Sequence, residues 1–151
     1  MLFRSSPLSE GVAAIVNDSI ISTYDLRQRI MLLIVTSGVQ PTEDSMAQIQ
    51  REALRGLIDE HLEIQELKRV EKQQKFTIIA DKDDIDRQIS RMAEENRMTG
   101  PQLLKSLEAA GVGADTLRDQ LRAEISWQRW INGRYGSRLR IGDDQIDAQL
   151  A

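Results

Sequence analysis

The titratable side chains of this chain are many, but few stand at spacings that support catalysis. One histidine, His61, and no cysteine occur in 151 residues. That excludes disulfides, thiolate metal sites and any His-rich metal site built from this chain alone. His61 lies between Leu57 and Ile64 on an apolar helical arc. A partly buried, hydrogen-bonded imidazole is the plain reading there, and pH sensing the sharper one. Asp81, Asp83 and Asp84 form one acidic cluster, Glu94 and Glu95 another. The first resembles the start of a calcium loop, yet the glycine and the distal glutamate of such a loop are missing. These acids read instead as complements to a helix N-terminal dipole. Gly111 and Gly113 read as a helix stop, not a phosphate cradle, and no serine sits in a nucleophile elbow. No metal, no cofactor and no enzymatic activity of this chain are therefore expected.

Arg129, Arg134, Arg138 and Arg140 fall within residues 129–141 with no acid among them. They read either as a nucleic-acid patch or as cations complementing a helix C-terminus. The formal net charge of -4, with both signs interspersed, favours the second, so no nucleic-acid partner is expected. Met31, Met46, Met92 and Met98 lie on or beside apolar faces, and Trp127 and Trp130 are three apart on one helix side. Core filling is the default for such residues. The sharper reading is an adaptable apolar groove, because thioethers re-pack around varied partners. These six are the candidate peptide-binding residues.

The stretch that must position them is 42–74, with no proline and one glycine, Gly56. Met46, Ile49, Ala53, Leu57, Ile64 and Leu67 follow a helical period, and Leu54, Ile58 and Leu62 add a second row beside the first. A helix this apolar around its girth packs on more than one side. Unbroken, it is about 50 Å long. Before it, residues 11–22 read as a β-hairpin turning at Asn17, Asp18 and Ser19. Ser22, with Asp25 at the third helical position, caps a helix whose face is Leu26, Ile30, Leu33 and Ile34. That helix stops at Gly38. After the spine, Asp81 caps a helix facing inward with Ile85, Ile89, Met92 and Ala93. Thr99 caps the next, with Pro101 in its first turn and Gly111 closing it. Asp115 opens the last long helix, which Gly133 and Gly136 fray. Two β-prone runs, 76–79 and 138–141, are expected to pair, and Asp143 to cap a short final helix.

Aromatics supply only 4% of the residues, so aliphatic side chains carry the packing. No apolar run reaches the ~18 residues that span a bilayer, so no membrane span is expected. Residues 1–10 read as a loose arm without a continuous apolar h-region. The chain is then either cytosolic or the mature or trimmed form of an exported protein.

The order of these pieces resembles a known family. Residues 12–22, followed by Tyr24, Asp25 and Leu26, are similar to the opening of the N-terminal domain of SurA, a family of periplasmic chaperones of outer-membrane proteins in Gram-negative bacteria. Further similarity lies in Leu57 to Glu60 with Gln65 and Glu66, in Asp84 to Asp86, in 96–99, in 117–122, and in 138–141 with 144–147. Residues 71–76 depart from the pattern, being longer and more polar than the family's turn. The resemblance implies a mainly α fold: several helices, a long central one, an N-terminal hairpin and short β segments. It implies an arm at 1–10, a helical chaperone domain over 11–142, and the start of a linker helix at 143–151. It also implies an ATP-independent role in the periplasm, with unfolded outer-membrane proteins or aromatic-rich peptides as partners. Parvulin modules, which carry prolyl isomerase activity in this family, would lie beyond Ala151, as would a C-terminal segment completing the domain. Two other roles follow: a homodimerising module that exchanges helical elements, and the non-catalytic part of a prolyl isomerase.

Overall fold

The computed structural model describes residues 10–150, with side chains described for 10–134. An antiparallel hairpin opens it, β1 (Val12–Val16) and β2 (Ser19–Ser22), with Ile15 paired to Ile20 and an irregularity at Ala13. Asn17 turns the chain at φ 57°, a left-handed conformation that asparagine tolerates. Helices α1 (Thr23–Ser37), α2 (Glu43–Gln74), α3 (Lys82–Glu95), α4 (Gly100–Ala109) and α5 (Ala114–Leu150) follow.

The helix starts follow from local chemistry. Ser22, Thr42, Asp81 and Thr99 each accept a hydrogen bond from the backbone N–H three residues on, and the side chain there bonds back. Each reciprocal pair satisfies amide donors that a helix start otherwise leaves open. Helix α1 ends at Gly38 with φ 70°, where a side chain would be strained.

Helix α2 is the spine. It contacts the hairpin, α1 and α5, so its broad apolar girth is covered from several directions. Ile49 and Ala53 pack with Ile30 of α1, Leu57 packs with Val16 and Ile21 of the hairpin, and Leu67 and Val70 pack with Ile78. A separate cluster joins Leu32 to α3, α4 and α5 through Ile85, Ile89, Leu107, Val112, Leu117 and Leu121. The second row emerges from cover at Leu62, which is 44% exposed.

The end of the molecule departs from the sequence expectation. Residues 76–79 form no strand, and 138–141 are helical, so the two runs do not pair. Side chains take the place of the expected strand partner. The Glu71 carboxylate accepts from the amides of Ile78 (2.6 Å) and Ile79 (2.7 Å), and the Ala80 amide donates to Ser126 Oγ at 2.8 Å. With those amides satisfied, a β-ladder has nothing to add. Gly133 and Gly136 do not end α5, and Asp143 caps no separate helix, because α5 runs on to Leu150. Arg129 and Arg134 are therefore mid-helix residues, and dipole complementation does not explain them. The arm expected at 1–10 lies outside the described residues except for Glu10. There the Glu10 carboxylate is held by the Thr23 hydroxyl and the Arg27 guanidinium.

Candidate polypeptide-binding surface

The six sequence candidates divide among different parts of the fold. Met46 is half-buried against Ile30, Ile49 and Ala53, and Met92 against the α1–α3–α5 cluster. Both fill core gaps. Met31, 37% exposed, lies over the α4–α5 turn at Gly111, and Met98 is 36% exposed. Only Trp127 and Trp130 share a cluster, half-buried on Leu67, Val70 and Ile78. Even these two open to different hollows. Trp130 lines one of about 660 Å³ with Phe76 and Ile78, and Trp127 another of about 590 Å³ with Glu63 and Glu124.

The Trp130 hollow lies between the α2–α3 connection and α5. Its floor is Ile78, 5% exposed, and one wall is Phe76, 46% exposed. Arg129 and Arg134 form the rim, with the Arg134 guanidinium 5.5 Å from the Trp130 ring centroid. Arg129 reaches Asp84 at 3.0 Å and donates to the Ile78 carbonyl at 3.4 Å. The Asp84 carboxyl is held well below the usual carboxylate range, first by Arg129 and then by the Asp81 amide.

A more polar cavity of about 600 Å³ lies where the hairpin, α1, α2 and α5 meet. There Arg29, 2% exposed, forms a two-pronged ion pair with Glu60 at 2.6 and 2.7 Å, while its Nε finds no acceptor among the described residues. The pair crosses the spine beside Gly56, where a Cβ would meet Arg29 Nη1 at 3.5 Å. His61 Nδ1 lies 2.6 Å from Ser19 Oγ, which fits the plain reading of a structural histidine. Gln65 donates to the Val16 carbonyl, so the spine grips the hairpin turn by polar side chains. Gln28 does the same for the α4–α5 turn: it donates to the Gly111 carbonyl and accepts from the Gly113 amide. Burial raises the Glu63 and Glu124 carboxyl pKa values, with Glu60 adding to both.

Sequence reasoning missed Arg29, Glu60, Gln28 and Phe76. A signal existed for Glu60, which occupies a helical-period position between Leu57 and Ile64. Arg29 likewise interrupts the apolar face running from Leu26 to Leu33. No such signal marks Phe76, whose place depends on the tertiary course of 76–80.

Chemically the Trp130 hollow offers apolar side chains and guanidinium groups. Among the described residues, no group of three or more His, Cys, Asp or Glu is placed to hold a metal. No helix among them is long and apolar enough to cross a membrane.

Residues 10–130 match the family model described as the SurA N-terminal domain. A protein named Chaperone SurA from Aromatoleum aromaticum is 31% identical over 143 residues, covering 94% of this chain and 31% of that protein. Another from Bordetella avium is 29% identical over 144 residues, covering 93% and 27%. A third, from Yersinia pestis bv. Antiqua, is 28% identical over 142 residues, covering 92% and 31%. The chain thus spans between about a quarter and a third of the length of these relatives. With the capped helices, the hairpin on the spine and a match over most of its length, the chain belongs to the SurA N-terminal domain family.

Proposed function

We propose that this chain is the polypeptide-holding part of a periplasmic chaperone that binds unfolded outer-membrane proteins without ATP. Its membership of a family whose relatives are named Chaperone SurA carries this reading. The surface supports it. Val12, Ile15, Tyr24, Met31 and Val35 stay between 37% and 69% exposed. Exposed aliphatic and aromatic groups gain by covering, and being covered by, the apolar segments of an unfolded chain. In this reading Met31, Met98, Trp127 and Trp130 would contact the guest, whereas Met46 and Met92 fill the core. In this reading the part is non-catalytic, and any prolyl isomerisation would belong to parvulin modules, as the family resemblance implies.

Light scattering of an unfolded outer-membrane protein diluted from urea tests the reading. At modest molar excess, without nucleotide, the chain should slow the rise in scattering. An unchanged rise contradicts holding, and prolyl isomerisation above background contradicts the non-catalytic assignment.

A second reading, a homodimer formed by exchange of elements, is favoured by the outward aliphatic face of the hairpin at Val12, Ile15 and Ile20. Sedimentation over a range of concentrations separates the two, because a strictly monomeric species leaves only the first.

A further inference from the structure

We propose that Glu63 and Glu124 form an acid-responsive latch between the spine and α5. Ionised, they hold the two helices apart at one hollow, and on taking up protons they let it close. Glu63 stands on α2 and Glu124 on α5, and both line the hollow of about 590 Å³ that Trp127 also lines. The two helices pack against each other, with Trp127 lying on the cluster of Leu67 and Val70 from the spine. Neither carboxylate has a hydrogen bond or an ion pair among the described residues. The latch needs no guest, so its failure would leave the holding role above untouched.

The charges around the pair are engaged elsewhere. From α1 comes Arg29, with both terminal nitrogens on Glu60. On α5, Arg129 lines the same hollow but reaches Asp84 and the Ile78 carbonyl. From α3 comes the neutral Gln88, which accepts from Arg91. On the spine, Glu60 and Asp59 both repel Glu63. Burial first, and then this repulsion, raises the Glu63 carboxyl pKa. Burial leads at Glu124 as well, where Glu60 repels more than Arg29 attracts. Like charges set against a protein interior repel more strongly than in open water. One proton removes that repulsion, and it lets a carboxyl donate where a carboxylate only accepts. The remaining walls include Leu121, Ile125 and Trp127, which gain from leaving water once the acids are neutral. Asp84 does not join in. Its carboxyl is held well below the usual range, so its pair with Arg129 outlasts the change. The closure is thus complete above the pH at which that pair breaks, and it begins above the ordinary glutamate value of 4.5.

Trp127 emission, followed in a Trp130→Phe background from about pH 8 to about pH 4, tests the proposal. Acid should shift the emission maximum to shorter wavelength in one transition, with its midpoint above 4.5. The double variant Glu63→Gln with Glu124→Gln should hold the emission at its acid position across the whole range. His61 belongs to the other cavity, against Ser19, so His61→Gln should leave the transition in place. Amide hydrogen exchange over residues 121–132, corrected for its intrinsic dependence on pH, should slow on the acid side in the parent and stay level in the double variant. Helical circular dichroism should hold constant throughout. An emission maximum that does not move, a transition that survives in the double variant, or one that vanishes in His61→Gln overturns the latch. So does a transition accompanied by loss of helical signal, because that would be unfolding and not closure.

Discussion

Arg29 is a full charge taken out of water, and Glu60 is what makes that tolerable. Only 3% of the Arg29 side chain and 15% of the Glu60 side chain remain accessible. Such a pair need not stabilise the fold more than apolar residues of the same size, but breaking it strands a charge. Glu60→Ala should therefore cost about 3–5 kcal/mol, read from the urea midpoint. The double variant Arg29→Met with Glu60→Leu should recover most of that loss. If the single variant were as stable as the parent, the pair would not be holding α1 to the spine. The acids nearby set a pH dependence of opposite sign to the usual one. Glu63 and Glu124 have carboxyl pKa values raised above the ordinary 4.5 by burial and by Glu60. Above that pH the unfolded chain has ionised them while the folded chain still holds protons, so stability falls as pH rises through that window. Asp84 and Asp86 are lowered, Asp84 by Arg129 first and Asp86 by Arg118 first, so their contribution is present above 3.8 and is lost as pH falls. Glu124→Gln should accordingly raise the melting temperature at pH 7 and by less near pH 4, and a larger gain at the lower pH would contradict the assignment.

At the scale of elements, the sequence was most legible where local chemistry decides the outcome. The caps at Ser22, Asp81 and Thr99 mark helix starts from a few adjacent residues, whereas the Thr42 cap went unread, and the spine's apolar rows give its length and its several-sided packing. The β-prone runs at 76–79 and 138–141 were misread because their partners are not local. Glu71 from α2 and Ser126 from α5 bind the backbone of the first run, which no periodicity foretells. The second is reached because helix propagation from α5 outweighs the modest penalty, about 1 kcal/mol each, of Gly133 and Gly136 before it. The same penalty supplies a test in the spine. A Cβ at Gly56 would make ordinary contact with Arg29 Nη1 at 3.5 Å, so it need not disturb the ion pair. Gly56→Ala should therefore stabilise the chain by up to about 1 kcal/mol in urea unfolding. A marked loss would mean that the Arg29 guanidinium lies closer to the spine backbone than described.

For the whole molecule, the functional surface was less legible than the fold. Periodicity marks which residues are apolar, but not which of them the tertiary structure leaves uncovered. Met46 and Met92 went into the core, while Phe76, Val12 and Ile15 stayed outside. Among the described residues the exposed apolar groups include positions on the hairpin, α1 and the end of the spine, and the proposed guest is accordingly a long extended chain touching several places weakly. The proposed binding would be saturable, independent of nucleotide and compatible with a scaffold that stays folded. Fluorescence anisotropy of a labelled, unfolded outer-membrane protein titrated with this chain at neutral pH tests that claim most directly. The account predicts a saturating rise in anisotropy without ATP, with the circular dichroism of the chain unchanged. A flat titration up to a large excess of a chain that is demonstrably folded would contradict it.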